Sequence, residues 1–172
     1  MPYLEKCNAI RILFTDVDGV LTDGSLEYDE NRVERKKFNV HDGMGIALWR
    51  DLGLPLGFIT ARSSRAVELR AEELKIDILR MNARDKRSAV LEILAELDMN
   101  PAEACFIGDD LYDLSAIRTV GLGVAVANAA EEVRESADFV TSRIGGAGAV
   151  RETIETILKA QGRWQEAIAR FE

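Results

Sequence analysis

The sequence predicts a protein of the α/β class, with a Rossmann-like parallel β-sheet and helices on both of its faces. Short apolar runs with the length of buried strands occur at residues 11–15, 55–60, 104–108 and 122–127. Helical patterns separate these runs along the chain. Because strands that alternate with helices of about 10–15 residues form βαβ units, the strands are expected to run parallel beneath a helical layer on each face.

Six segments have helical patterns, at residues 42–51, 63–74, 85–97, 111–119, 130–135 and 147–160. In the third of these, Val90, Leu94 and Leu97 recur at helical spacing and form one apolar face. The dipeptide Asn100-Pro101 then ends the element, because proline disfavours helical backbone at the residue before it. A weaker, short strand is predicted at residues 76–81.

Residues 24–40 depart from this alternation and are predicted to form a small β-hairpin insertion. The segment is polar, and its two halves, residues 25–28 and 33–38, alternate apolar and polar side chains. Between them lie Asp, Glu and Asn at residues 29–31, a composition typical of turns. We therefore expect a hairpin that projects from the sheet.

The length of 172 residues is typical of one domain. Since the hairpin is too small to be a separate domain, residues 1–172 are predicted to form a single domain. The tail at residues 161–172 is predicted to form an extra helix. This helix would carry Trp164, Ile168 and Phe171 on one side, for packing or for a subunit contact.

Composition excludes several classes of function. The net charge of −8 argues against a nucleic-acid partner, because such partners require an excess of Lys and Arg. No run approaches the roughly 18 apolar residues of a membrane span, and none of signal-peptide length precedes Arg11. Cys7 and Cys105 form no disulfide framework, which favours a cytoplasmic protein. The single histidine, His41, excludes a multi-histidine zinc site.

Chemically active side chains are predicted to meet at one edge of the sheet. Asp16 and Asp18 follow the first strand in the sequence Asp-Val-Asp-Gly-Val, and Thr60 ends the second strand. Lys86 begins the helix after the weaker strand, and Asp109 follows the next buried strand. Ligands of open parallel sheets bind beyond the carboxyl ends of the strands. This edge is therefore the predicted site.

Three carboxylates in close proximity predict a magnesium site. Each pair among Asp16, Asp18 and Asp109 would repel by roughly 4 kcal/mol at about 4 Å. A bound cation offsets this repulsion, and a ligand set of oxygens without histidine or cysteine favours Mg²⁺. A carboxylate beside the metal can attack phosphorus and form an aspartyl-phosphate. Asp18 is placed to protonate the leaving oxygen, and Lys86 and Thr60 can hold the phosphoryl group.

Each of these features has an ordinary structural explanation when taken alone. Acidic pairs are common in turns, aspartates cap helices, and single Thr and Lys residues usually have no catalytic role. Three aspartates within the Gly-Asp-Asp-Leu-Tyr-Asp sequence at residues 108–113 exceed what capping needs. The combination at one edge of the sheet therefore indicates phosphoryl-transfer chemistry.

These motifs resemble the four motifs of the haloacid-dehalogenase superfamily of phosphatases, and the similarity extends from Arg11 to about residue 160. Three further segments, at residues 38–46, 60–62 and 145–152, are similar to those of 3-deoxy-D-manno-octulosonate 8-phosphate phosphatases. The resemblance implies no large cap domain and a role in lipopolysaccharide biosynthesis. It also implies a homotetramer in which neighbouring subunits and the C-terminal segment help to close each active site.

The resemblance also implies a role for individual residues. The catalytic residues would be Asp16 as nucleophile, Asp18 as acid and base, Thr60 and Lys86. The ligands of Mg²⁺ would be Asp16, Asp109 and, through its backbone carbonyl, Asp18. The residues that bind the phosphorylated sugar-acid substrate would be Asp18, Asn39, Val40, His41, Asp42, Gly43, Arg62, Arg70 and Lys86.

Two positions depart from the family pattern, and they bear on the choice of substrate. His41 stands where the family commonly has arginine, and Ala61 stands where glycine is usual. Loss of a guanidinium at position 41 removes a bidentate clamp, although a histidine can still donate one hydrogen bond. A phosphatase for a 9-phosphorylated nonulosonate of the sialic acid type is therefore the nearest alternative. Arg62 favours the octulosonate, because glutamate is frequent at this position in the nonulosonate enzymes.

Two further alternatives come from other functional classes. A phospho-accepting receiver domain also combines aspartates, Thr and Lys on a parallel sheet, but its acceptor aspartate follows the third strand. Here the Asp-x-Asp pair follows the first strand, and Asp109 comes after the helix of Lys86, so the order does not match. A catalytically silent subunit is the other alternative, although every expected catalytic side chain is present.

Overall fold

The computed structural model describes residues 2–171, and a six-stranded parallel sheet lies at its centre. The sheet contains strands β1 (Ile12–Thr15), β4 (Leu56–Ile59), β5 (Ile78–Arg80), β6 (Ala104–Gly108), β7 (Leu122–Ala125) and β8 (Phe139–Val140). Strands β2 (Glu27–Tyr28) and β3 (Glu34–Arg35) form a separate antiparallel pair. The order across the sheet is β5-β4-β1-β6-β7-β8, and every neighbouring pair is parallel. The predicted α/β fold class is therefore confirmed.

Eight α-helices lie within the described residues. They are α1 (Pro2–Cys7), α2 (Val40–Asp51), α3 (Arg65–Glu73), α4 (Lys86–Glu96), α5 (Leu114–Ile117), α6 (Glu131–Ser136), α7 (Ala149–Ala160) and α8 (Trp164–Ile168). None of them has the length and apolar character needed to cross a bilayer. The helix predicted at residues 111–119 is shorter than expected, because its first turn is a 3₁₀ turn at Leu111–Asp113.

Seven of the eight helices pack against each other in two groups, as expected for a sheet covered on both faces, whereas α3 contacts β3. Helices α1, α2, α7 and α8 form one group, and α4, α5 and α6 form the other. The side chains of β1, β4, β6 and β7 are all buried between them. Helix α7 has the clearest apolar stripe, with Val150, Ile154 and Ile157 fully buried.

Two short elements at the edges of the fold were not predicted. Helix α1 has six residues and strand β8 has two, so neither is long enough to show a period in the sequence. The predicted tail helix is confirmed by α8, which packs on α2 and α7. Met1 and Glu172, the ends of the predicted domain, lie outside the described residues.

The predicted hairpin is present, although its strands have only two residues each. Glu27 pairs with Arg35, and Tyr28 pairs with Glu34. The turn is held by the Asp29 carboxylate, which accepts hydrogen bonds from the backbone N–H groups of residues 31 and 33 at 2.9 Å each. This bonding of an aspartate to its own turn is an Asx turn, in which the side chain mimics a backbone turn.

Backbone hydrogen bonds fix the sheet edge at which the predicted site lies. Beyond the last residue of β1, the N–H of Asp16 donates to the carbonyl of Ile107 at 2.9 Å. Beyond the last residue of β4, the N–H of Thr60 donates to the carbonyl of Arg80 at 2.9 Å. The loops after β1, β4 and β6 therefore begin at the same level of the sheet.

Candidate active site

A cavity of about 310 Å³ opens at this edge of the sheet. Its lining residues are Asp16, Asp18, Thr60, Ala61, Arg62, Lys86, Asp109, Asp110, Tyr112 and Asp113. Six of the residues predicted for the site are thus brought together in one cavity. Its volume suits a small ligand.

Lys86 lies at the centre of the carboxylate cluster and is almost completely buried. Its Nζ is 2.7 Å from Oδ1 of Asp16, and it also donates to Oδ1 of Asp113. Burial alone lowers the pKa of an ammonium group, but the charges of Asp16 and Asp113 outweigh it and raise the pKa of Lys86. The lysine is therefore charged at neutral pH.

Asp113 organises the loop after β6. Its second oxygen, Oδ2, accepts hydrogen bonds from the N–H groups of Asp109 (2.9 Å) and Asp110 (3.3 Å). A Cβ at Gly108 would lie 2.4 Å from the Cβ of Asp113, so the side chain packs closely on the strand end. The sequence reasoning gave Asp113 no role of its own. The available signal was the third aspartate of the Gly-Asp-Asp-Leu-Tyr-Asp sequence.

Three carboxylates converge in this cluster without enough protein cations to balance them. One oxygen from each of Asp16, Asp109 and Asp113 lies within 4.8 Å of the other two. Oδ1 of Asp109 is buried and accepts no hydrogen bond from the described residues. A buried carboxylate oxygen without a partner is costly in free energy, and a bound cation removes this cost. The donor set consists of oxygens only, which fits Mg²⁺.

The electrostatic cost of this arrangement appears in the pKa values of two aspartates. Burial, with the neighbouring charge of Asp113, raises the pKa of Asp16 to about 6, although Lys86 opposes the shift. Burial and the charges of Asp16 and Asp113 raise the pKa of Asp109 to about 8. Without a cation, the cluster therefore holds protons at neutral pH that ordinary aspartates would have released.

The loop after β1 approaches the loop after β6 so closely that it requires glycine. Gly19 has a φ of +96°, and a Cβ there would lie 2.0 Å from Oδ2 of Asp109. The carbonyl of Val17 accepts hydrogen bonds from the N–H groups of Val20, Leu21 and Thr22, which closes the loop into a tight turn. This turn holds Asp16 and Asp18 beside the loop of Asp109.

The carboxylate of Asp18 is engaged by two cations. Its Oδ1 accepts a hydrogen bond from Lys36 of the hairpin, and its Oδ2 lies 3.8 Å from Nε of Arg62. Thr60, which also lines the cavity, accepts a hydrogen bond at its Oγ1 from the N–H of Arg62 at 3.2 Å. The sequence reasoning missed Lys36, because a lysine in a polar hairpin has no distinguishing pattern.

The other residues predicted to bind substrate lie outside the lining of this cavity. Asn39 caps helix α2, and its carbonyl is 3.5 Å from Nη2 of Arg70. Gly43 adjoins the same guanidinium, since a Cβ there would lie 2.4 Å from it. Val40 is 78% exposed. Residues 39–43 and Arg70 thus form a second group, separate from the acidic cavity of the same chain.

Asp42 has a structural partner in the start of helix α7. Its carboxylate is buried and accepts hydrogen bonds from the N–H groups of Gly148 (3.2 Å) and Arg151 (2.9 Å). This bonding satisfies N–H groups at the helix N-terminus that have no partner within the helix. The side chain therefore fixes α2 against α7, and direct contact of Asp42 with substrate stays a prediction.

His41 lies beside a larger cavity of about 500 Å³, which it shares with Arg143, Arg151, Lys159 and parts of α7. Arg151 and Lys159 are both paired with Glu155 there, at 2.6 and 2.7 Å. Two glutamates, Glu152 and Glu155, line this space, but among the described residues it has no group of three carboxylates like that of the smaller cavity. Chemistry, rather than volume, therefore identifies the smaller cavity as the candidate active site.

Comparison with known proteins identifies the family of this chain. Residues 76–152 match the family of haloacid dehalogenase-like hydrolases. The chain is 40% identical over 164 residues to the 3-deoxy-D-manno-octulosonate 8-phosphate phosphatase KdsC of Escherichia coli K12, covering 95% of this chain and 87% of that protein.

Solved structures of similar proteins have the same fold. The 3-deoxy-D-manno-octulosonate 8-phosphate phosphatase of Moraxella catarrhalis, in complex with magnesium, phosphate and KDO, has a TM-score of 0.97 and 39% identity over 99% of this chain and 98% of that one. The cobalt-bound form of the Haemophilus influenzae phosphatase has a TM-score of 0.88 and 37% identity, covering 91% and 92% of the two chains. The receiver alternative has no support among these relatives. The chain belongs to the haloacid dehalogenase-like hydrolases, in the family of the 3-deoxy-D-manno-octulosonate 8-phosphate phosphatases.

Proposed function

We propose that the protein is a Mg²⁺-dependent phosphatase that converts 3-deoxy-D-manno-octulosonate 8-phosphate to the free sugar acid and phosphate. The observation that carries this proposal is the placement of Asp16. Its carboxylate is buried, is 2.7 Å from Lys86 and lies beside Asp109, whose Oδ1 has no hydrogen-bond partner among the described residues. The substrate follows from the relatives that bear this name and from the Moraxella catarrhalis complex, which contains KDO.

Asp16 and Asp109 would hold the metal ion through their side chains, and Asp18 through its backbone carbonyl. The ion would offset the charge of the cluster and bind oxygens of the substrate phosphate. Asp113 stays hydrogen-bonded to Lys86 and to the backbone of the loop after β6, so it holds Lys86 and this loop in position.

Asp16 acts as the nucleophile. One of its carboxylate oxygens attacks phosphorus, and the bond from phosphorus to the sugar oxygen breaks while Asp18 donates a proton to that oxygen. A water molecule then attacks the phosphorus of the aspartyl-phosphate, and Asp18 takes its proton. This step releases phosphate and regenerates the Asp16 carboxylate.

Lys86 and Thr60 hold the phosphoryl group during both steps. The Lys86 ammonium supplies positive charge to the equatorial oxygens, on which negative charge is spread in the transition state. Arg62 lines the entrance on the hairpin side and would face the sugar. Its hydrogen bond to Glu34 at 2.7 Å holds the guanidinium in place.

The experiment that tests this function is steady-state phosphate release with Mg²⁺ and with EDTA. We expect the 8-phosphate of the octulosonate to be hydrolysed with a higher kcat/KM than a 9-phosphorylated nonulosonate, and no sustained release in EDTA. An Asp16→Asn variant should release phosphate at least about a thousandfold more slowly than the wild-type protein. A clear preference for the nonulosonate would overturn the substrate, and full turnover of the Asp16→Asn variant would overturn the mechanism.

We also propose that the chain forms one domain and assembles as a homotetramer in the cytoplasm. Residues 39–43 and Arg70 would then contact substrate held in the cavity of a neighbouring subunit. Sedimentation measures the number of subunits. Hybrids of Asp16→Asn and Arg70→Ala subunits test whether two neighbouring subunits contribute residues to one active site. If the site is shared, hybrids regain activity that neither variant has alone. Hybrids without activity would mean that Arg70 serves its own subunit.

A further inference from the structure

The hairpin contributes one buried charge to the edge of the active site. Lys36 follows strand β3, and its side chain is only 1% exposed. A buried ammonium group is costly in free energy unless carboxylates pair with it. Its two partners are Oδ1 of Asp18 and Oε1 of Glu34, the latter at 3.3 Å. Lys36 therefore links the hairpin to the proposed acid and base of the reaction.

Two more groups close this contact into a ring of four charges. Oε1 of Glu34 also accepts a hydrogen bond from Nη2 of Arg62 at 2.7 Å, and the Nε of Arg62 is 3.8 Å from Oδ2 of Asp18. The hydroxyl of Tyr28 lies 3.2 Å from the same Nη2. Two cations and two carboxylates thus alternate, so the ring carries no net charge, and each member limits the movement of the next.

Within this ring the two oxygens of Asp18 have different surroundings. Oδ1 is held by Lys36, whereas Oδ2 is buried and forms no hydrogen bond with the described residues. A carboxylate held at one oxygen retains one orientation and leaves the other oxygen free for a proton. Lys36 itself is not among the residues that line the cavity, so it does not touch the reacting group.

We propose that Lys36 is a positioning residue, which orients Asp18 for proton transfer to the leaving oxygen. The proposal rests on the proposed function, in which Asp18 is the acid and base. It assigns the hairpin of each chain a part in catalysis within that same chain. Without Lys36, Asp18 rotates towards Arg62, its remaining cation, and protonates the leaving oxygen less effectively.

The test compares phenyl phosphate with 4-nitrophenyl phosphate in a Lys36→Met variant. The two esters have nearly the same shape, but phenolate leaves poorly and needs a proton, whereas 4-nitrophenolate leaves readily without one. Because kcat/KM includes the steps up to departure of the leaving group, it reports the acid function of Asp18. We expect kcat/KM for phenyl phosphate to fall at least about tenfold more than kcat/KM for 4-nitrophenyl phosphate.

Two further variants serve as controls. Lys36→Arg keeps a cation on the hairpin and should restore most of the lost activity on phenyl phosphate. Lys37→Met removes the neighbouring exposed lysine and should leave kcat/KM unchanged for both substrates. If the Lys36→Met protein does not fold, Lys36→Gln replaces it. Glutamine can still donate one hydrogen bond to Asp18, so a smaller effect in the same direction is expected.

Equal losses on the two esters, a change in KM alone, or a gain in activity would each overturn the positioning role. None of these results would affect the proposed function, since the wild-type protein would still turn over with Mg²⁺. Conversely, full turnover of the Asp16→Asn protein would overturn the proposed mechanism and, with it, the role assigned to Asp18.

Discussion

Replacing Asp109 by asparagine should stabilise the metal-free protein at alkaline pH and abolish its response to Mg²⁺. The pKa of Asp109 is raised to about 8 and that of Asp16 to about 6, from an ordinary value of 3.8 for each. Between about pH 4 and pH 8 the folded protein therefore binds more protons than the unfolded chain. Its free energy of unfolding must fall as the pH rises through this range, since these protons are released.

The size of the effect follows from the shift at Asp109. A displacement of about four pH units corresponds to on the order of 5 kcal/mol at pH 8, at about 1.4 kcal/mol per unit. Asparagine removes this cost, but its amide is buried without a full set of partners, which costs about 1–3 kcal/mol. The net gain is a few kcal/mol, or roughly 5–10 °C in Tm for a protein of this length.

Thermal unfolding between pH 5 and pH 8.5 measures this gain, with EDTA or with Mg²⁺. In EDTA, the Tm of the wild-type protein should fall with rising pH more steeply than that of Asp109→Asn. Mg²⁺ at about 100 times its Kd should add about 2.7 kcal/mol to the wild-type protein and much less to the variant. Glu92→Gln, which removes an exposed carboxylate from α4, is the control and should behave as wild type.

Two results would refute this reasoning. One is an Asp109→Asn protein that unfolds at the wild-type Tm, or below it, at pH 8 in EDTA. The other is a slope of Tm against pH that the substitution leaves unchanged. Either would mean that the carboxylate cluster does not store the electrostatic free energy inferred from its burial.

The sheet and its active edge were predictable from the sequence because both depend on local patterns. The apolar runs that became β1, β4 and β6 are fully buried, and such strands in an alternating α/β chain must run parallel. Parallel strands end at the same edge, so the positions of Asp16, Thr60 and Asp109 followed from the strand ends.

The contacts within the site were less predictable because they join residues that are distant in sequence. Asp113 reaches Lys86 across 27 positions, and Lys36 reaches Asp18 across 18. Both depend on how a loop or a hairpin folds over the sheet edge, which no periodicity encodes. For the same reason, the sequence could not indicate that residues 39–43, expected to contact substrate, lie with Arg70 outside the cavity of their own chain.

Three further substitutions test the cluster and the loops that support it. Asp16→Asn should reduce phosphate release at least about a thousandfold, because it removes the nucleophile; a folded variant with substantial release would contradict this role. Lys86→Met should lower the free energy of unfolding, measured in urea, by about 3–5 kcal/mol at pH 8, because the buried carboxylates lose their cation. The loss should be smaller at pH 5, where these carboxylates bind protons. Gly145→Ala should be the most disruptive change outside the cluster, because its Cβ would lie 1.6 Å from the carbonyl oxygen of Gly19. Since that carbonyl belongs to the turn beside Asp109, we expect a loss of about 3 kcal/mol together with weaker Mg²⁺ dependence. Gly53→Ala is the control, because its Cβ would meet no atom within 4 Å and only the strain of its positive φ, about 1–2 kcal/mol, remains. Equal losses of stability in the two alanine variants would show that the loops of Gly145 and Gly19 are not in tight contact.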